Sequence, residues 1–225
     1  MLPKIFCITL KNTPKRREHA AKYFENHNLD VEFFEGIHGE TFGLKSTIPC
    51  NQDHNYNNTD NYYIGNGRVG CFLSHYMLWK TLSYLPYDEI LILEDDCLLC
   101  DDFVTKFNYY KSQLPEDWQY VFVGHCCLSD DNQKITINEN IITTVIPPLC
   151  THAYLIKKSS IPILLDTNDR VWTAIDIQIQ LKSLKQLKHY IFMPQLVNQM
   201  SLLKQLIPNT DLDKDNIFNS LINNQ

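Results

Sequence analysis

Ile90-Leu91-Ile92-Leu93-Glu94-Asp95-Asp96 joins an unbroken apolar tetrad to three consecutive acids. A short apolar run without polar alternation suits a strand whose sheet is covered on both faces. Such strands belong to α/β proteins, in which ligands bind beyond the carboxyl ends of the strands. The acids fall at that end. Carboxylates crowded in this way repel one another, and a divalent cation is the usual compensation. Residues i and i+2 share a face in extended chain, so the spacing predicts that Glu94 and Asp96 converge while Asp95 points away. Oxygen donors of this kind suit a hard cation, Mn²⁺ or Mg²⁺, with positions left open for phosphate oxygens. A solvated acidic turn capping the next helix is the alternative reading of the same residues.

Working outward, residues 5–10 read as a buried strand bounded by Asn12-Thr13-Pro14, and residues 15–28 as a helix with Ala20, Tyr23, Phe24 and His27 on one side. Residues 31–34 form a second strand that ends at Glu35-Gly36. Residues 37–67 are polar and aperiodic, a length that marks a functional or mobile loop. Val69, Phe72, Leu73, Tyr76 and Met77 then define one face of a helix from Arg68 to about Tyr84. Downstream, helices are expected over 103–114, 161–165 and 174–184, strands over 120–123, 153–156 and 190–193, and a β-rich hairpin over 136–146. This alternation predicts an α/β sandwich with a single mixed central sheet flanked by helices. The 225 residues suffice for one domain, assigned to 1–207, followed by a polar tail over 208–225.

The chain has 20 Lys and Arg against 26 Asp and Glu, a net charge of −6, so it lacks the basic field that nucleic-acid binding requires. No run approaches the roughly 20 apolar residues of a membrane span, and the N-terminus lacks a signal-peptide pattern. A cytoplasmic location is therefore expected. Eight cysteines are present, but Cys97-Leu98-Leu99-Cys100 is a lone CxxC and Cys126-Cys127 are adjacent, which is poor zinc geometry. Reduced, mostly buried thiols are expected. In that setting the sequon Asn57-Asn58-Thr59 is a coincidence of an Asn-rich loop.

Further blocks accompany the acids in order. Gly67-Arg68-Val69-Gly70-Cys71-Phe72-Leu73-Ser74-His75-Tyr76-Met77-Leu78-Trp79 lies upstream, after Ile5-Phe6-Cys7-Ile8-Thr9-Leu10 with Arg16-Arg17 and after Phe34-Glu35-Gly36. Thr151-His152-Ala153-Tyr154-Leu155-Ile156 and Met193-Pro194-Gln195-Leu196-Val197-Asn198-Gln199 follow. Together these blocks resemble the family 25 glycosyltransferases, which include lipooligosaccharide and collagen galactosyltransferases.

The resemblance implies a GT-A type nucleotide-diphospho-sugar transferase fold, a UDP-sugar donor, a glycan or glycoprotein acceptor, and bound Mn²⁺ with Mg²⁺ as the alternative. Asp96, helped by Glu94, would hold the metal, and Asp95 would face the ribose or donor sugar. Glu94 departs from the aspartate usual at its position, so its ligation is less direct. Thr9 and Leu10 would meet the base, Arg16 the phosphate, and Gly36 would close the second strand end. Gly70 and Ser74 would open a helix whose amide-rich end approaches the nucleotide. His152 would complete the metal shell or touch the acceptor, and Asp176 would serve as base in an inverting transfer of a hexose, galactose or glucose. Each has a structural alternative: a solvated helix face for Arg16, a packing role for His75 and His152, a helix-terminal carboxylate for Asp176. Two other functions compete. A nucleotidyl- or phosphotransferase would need a phosphate cradle that the seven glycines do not form, and a catalytically silent nucleotide-sugar or glycan binder would keep the fold alone.

Overall fold

Side-chain alternation along two neighbouring strands sets the layers of the fold. In β1 (Lys4–Thr9) and β3 (Glu89–Glu94), Ile5, Cys7, Leu91 and Leu93 pack on one face, and Phe6, Ile8, Ile90 and Ile92 on the other. The first face is covered by α1 (Pro14–Asn26), through Ala20, Tyr23 and Phe24, and by α3 (Phe103–Lys111). The second is covered by α2 (Asn66–Leu82), through Phe72, Leu78 and Trp79, and by α4 (Ile161–Thr167) and α5 (Ile175–Leu181). The result is three layers with the sheet in the middle, the architecture expected of the GT-A type. The computed structural model describes residues 2–42 and 65–200. The expected boundary at 207, the tail 208–225, most of the 37–67 loop, Cys50 and the sequon lie outside the described residues.

The central sheet is mixed. It adds β2 (Val31–Glu35), β5 (Tyr120–Phe122), β6 (Lys134–Thr136), β7 (Ile141–Thr144), β8 (Ala153–Lys157) and β9 (His189–Phe192), in the order β2-β1-β3-β8-β5-β9-β7-β6. β1 is parallel to both β2 and β3, whereas β8 runs antiparallel to β3 and to β5. The chain leaves β1 for β2 on one side and returns through α2 to β3 on the other. That reversal is a topological switch point, where the connections diverge and leave a crevice at the carboxyl ends of the strands.

Local chemistry shifts several element ends. α1 stops at Asn26, and Asn28 has a left-handed φ of 54° that terminates it. α2 begins at Asn66, two residues before the expected start. The expected helix over 174–184 is split into α5 and a 3-10 turn at Ser183–Lys185. A two-stranded antiparallel ribbon accompanies the central sheet, formed by β4 (Cys97–Leu99) and β10 (Val197–Gln199). Strands of three residues carry too little period to be read from sequence, and their pairing joins segments a hundred residues apart.

The expectation of reduced cysteines is corrected at two positions. Cys126 and Cys150 form a disulfide, with Cα atoms 5.7 Å apart. Reciprocal backbone hydrogen bonds of 3.1 Å between Cys126 and Leu149 bring the two loops together. Cys127 has a left-handed φ of 58° and is exposed, so the pair of adjacent thiols diverges and Cys126 alone turns to Cys150. Cys7 and Cys97 are buried thiols, as expected.

Candidate functional site

A cleft of about 240 Å³ lies at the carboxyl ends of β1 and β3, against α2. Glu94, Asp95 and Asp96 all line it, as do Thr9, Leu10 and Arg16. β3 ends at Glu94 and the chain turns there, so the strand alternation that would send Asp95 away does not continue. Instead Asp95 accepts a hydrogen bond of 3.0 Å from the Thr9 hydroxyl and forms an ion pair with Arg16. Its side chain is 8% exposed and that of Arg16 53%, which places the guanidinium at the mouth over a nearly buried acid.

Glu94 sits deeper. Its Oε1 accepts 2.8 Å from the Thr151 hydroxyl and 3.2 Å from Nε2 of His75. The His75 tautomer follows from its neighbours. Trp79 Nε1–H can only donate, and it gives its hydrogen to the Tyr154 hydroxyl at 2.9 Å. The Tyr154 proton then goes to His75 Nδ1 at 2.8 Å, which leaves the imidazole proton on Nε2, facing Glu94. Burial works against the charge of Glu94, but the His75 and Thr151 hydrogen bonds outweigh it and hold its pKa below the ordinary value.

Asp96 differs from Glu94 in its surroundings and in the direction in which they move its pKa. Burial, then the negative charge of Glu94, push its pKa up to about 6, against the opposing pull of Arg16 and Gln199. The ribbon of β4 and β10 holds it, through Gln199 Nε2–H to Oδ2 at 3.3 Å and the Met200 amide to its carbonyl at 2.9 Å. Oδ1 is buried without a hydrogen-bond partner among the described residues. A buried lone pair left in this way is costly unless a ligand fills it.

The remaining residues singled out in the sequence fall into two groups. Ser74 lines the cleft, and Gly36 and Gly70 pack behind that wall, outside the lining themselves. The Ser74 hydroxyl accepts the Ile37 amide and donates to the Gly70 carbonyl, each at 2.7 Å. A Cβ on Gly70 would stand 2.5 Å from the Ile37 carbonyl oxygen, so glycine permits the backbone approach. Gly70 and Ser74 lie one and two turns inside α2, and its N-terminus is at Asn66 rather than at either of them. His152 and Asp176 lie outside the cleft lining. His152 is buried, donates Nε2–H to the Val197 carbonyl at 3.2 Å and keeps Nδ1 unpartnered. The Asp176 carboxylate accepts the Cys150 amide at 3.2 Å and the Ile177 amide at 2.9 Å, in the first turn of α5.

The residues that position Glu94 escaped sequence reasoning as a group. Thr151, Tyr154 and Trp79 fall within the sequence blocks, but only the register of β3 against β8, with Leu93 opposite Ala153, puts Thr151 beside Glu94. A single sequence carries no signal for that strand order.

Acids gathered at a switch point beside a basic residue place polar groups where ligands of open α/β sheets bind. Residues 2–179 match the model of glycosyltransferase family 25 (LPS biosynthesis protein), and the chain belongs to that family. A Glycosyltransferase 25 family member from Aedes aegypti is 27% identical over 171 residues, covering 72% of this chain and 28% of that protein. Procollagen galactosyltransferase 2 from Homo sapiens is 27% identical over 129 residues, covering 54% of this chain and 20% of that protein. Lipooligosaccharide biosynthesis protein lic2B from Haemophilus influenzae is 35% identical over 124 residues, covering 52% of this chain and 43% of that protein. The chain thus spans less than half the length of these relatives. Among the described residues no helix is long and apolar enough to cross a membrane.

Proposed function

We propose that this chain is a metal-dependent, inverting glycosyltransferase that moves a hexose from a UDP-sugar to a hydroxyl of a glycan or glycoprotein acceptor. Family membership supports the class of reaction. The observation that supports the metal is Asp96 Oδ1, a buried oxygen without a partner among the described residues, beside a carboxylate held charged at the end of a central strand. Hard oxygen donors so placed fit a divalent cation such as Mn²⁺, which Asp96 and Glu94 would hold. When bound, that cation supplies charge stabilisation for the departing UDP.

The protein's own groups do the rest. Arg16, tethered by Asp95 and half exposed, offers guanidinium hydrogens to phosphate at the cleft mouth. Asp95 in this reading positions Arg16 and Thr9. Thr9 and Leu10 present the end of β1 to the base and ribose. Asp176 remains the base we propose, because each of its oxygens has a second lone pair beyond the backbone donors it accepts. Galactose is favoured over glucose because a human relative bears the name procollagen galactosyltransferase.

The reading is tested by UDP release from UDP-galactose and UDP-glucose, with and without Mn²⁺, by the wild type and by Asp96→Ala. Metal-dependent release, lost in D96A, is expected. UDP binding without release from either sugar would favour the silent binder instead.

A further inference from the structure

We propose that the floor of the cleft carries a second cation site, for a thiophilic ion such as Zn²⁺, formed by Cys71, His75 and Glu94. It differs from the oxygen site at Asp96 in its donors. The ligand atoms of these three side chains lie within 4.8 Å of one another, and all three residues line the cleft. Thiolate, imidazole and carboxylate on three protein residues, with the fourth direction open to a cavity, is a donor set that zinc takes in tetrahedral geometry. Hard cations that prefer six oxygens do not.

The surroundings are built for a ligand set. His75 is 1% exposed and its ring is fixed from behind by the Tyr154 hydroxyl, itself held by Trp79. A metal-binding histidine commonly donates its second N–H to a neighbouring oxygen, and the Tyr154 oxygen stands 2.8 Å from Nδ1 for that role. Thr151 holds Glu94 from the other side. Cys71 and His75 are i and i+4 on α2, so the helix presents both to the same spot.

The protons balance simply. The Cys71 thiol proton leaves to solvent as the sulfur ligates. The His75 proton moves from Nε2 to Nδ1, which then donates to the Tyr154 oxygen alongside the Trp79 N–H, while the Tyr154 hydroxyl hydrogen turns away and gives up its bond to His75. One proton is released per ion. Because Glu94 belongs to both sites, occupancy by zinc withdraws it from the oxygen site.

Titration of the full chain with Co²⁺ tests the site directly, since cobalt reports a sulfur ligand by a charge-transfer band and tetrahedral geometry by intense visible bands. Wild-type protein and a Cys127→Ser variant, which lacks the exposed thiol, are both expected to show the bands, and Zn²⁺ is expected to displace the cobalt. Cys71→Ser and Cys71→Ala are expected to lose the charge-transfer band and to weaken Co²⁺ binding by about tenfold or more. Both variants are checked for a native thermal transition, and the one that folds decides. Absence of the band in folded wild type, its persistence in a folded Cys71 variant, or its loss in Cys127→Ser would overturn the proposal. The readout needs neither nucleotide nor sugar, so failure of the transferase reading leaves it unaffected.

Discussion

His75 Nε2 stands 3.2 Å from Glu94 Oε1 and links the first acid of the cluster to a hydrogen-bonded chain that reaches Tyr154 and Trp79 in the core. The chain runs in one direction, from the Trp79 N–H to the Glu94 carboxylate, so each member fixes the next. His75→Phe keeps a ring but removes the donor to Glu94 and the acceptor for Tyr154. Unfolding in denaturant should show a loss of about 1–3 kcal/mol, the range for leaving buried polar groups unpaired. Tyr154→Phe should also destabilise, since it orphans the Trp79 N–H.

Arg16 predicts the opposite balance. Its guanidinium is half exposed, so its ion pair with Asp95 contributes less than about 1 kcal/mol to stability. Its proposed contact with phosphate is a charge-assisted hydrogen bond, worth about 1.5–3 kcal/mol. Arg16→Ala should therefore melt close to wild type while UDP affinity, measured by calorimetry, falls about tenfold or more.

Asp96 should trade stability for function. Its folded pKa is about 6 against an ordinary 3.8, so the folded state binds this proton more tightly than the unfolded state. Wild type then gains from this group as pH falls through 6 towards 4, and lacks that gain at neutral pH. Asp96→Asn should be more stable than wild type at pH 7.5 by about 1–3 kcal/mol, with the difference closing by about pH 4. His125 acts in the other direction. Burial, with His152 and Lys134, lowers its pKa to about 4, so both proteins lose stability between about pH 6.5 and 4 as it must charge. That contribution cancels in the comparison. Paired pH-stability curves check the sign.

The disulfide closes a loop between residues 24 apart in sequence, for which chain entropy gives about 3 kcal/mol. Cys126→Ser should lower the unfolding free energy by about that amount, and a reductant should affect wild type but leave the variant unchanged. Because the Cys150 amide donates to Asp176, the same variant should raise hydrogen exchange around the start of α5.

Much of this molecule is legible in residue order. The apolar tetrad before Glu94 identifies a central strand covered on both faces, and the apolar run over residues 5–10 a second buried strand, but which of their side chains face which layer emerges only in the fold. The acids were readable as a cluster because they are contiguous. Their individual surroundings were not. Asp95 was expected to point away and instead joins Thr9 and Arg16, since the strand ends one residue earlier. Thr151 and Gln199 reach Glu94 and Asp96 through strand pairings of low period and long range. The disulfide was hidden by the same cause: it depends on a bridge between loops and on one left-handed residue, Cys127, that no composition reveals.

In the proposed function, the acidic cleft binds a nucleotide diphosphate together with a divalent cation. Thermal unfolding of the wild type with UDP, with Mn²⁺, with both and with neither decides this. A ligand bound only by the folded state stabilises it by about 2.7 kcal/mol at a hundredfold excess over its Kd. A rise of that order is expected with UDP and Mn²⁺ together, well beyond either alone, and it should vanish in Asp96→Ala. An unfolding temperature unmoved by the two together would rule out joint binding in the cleft.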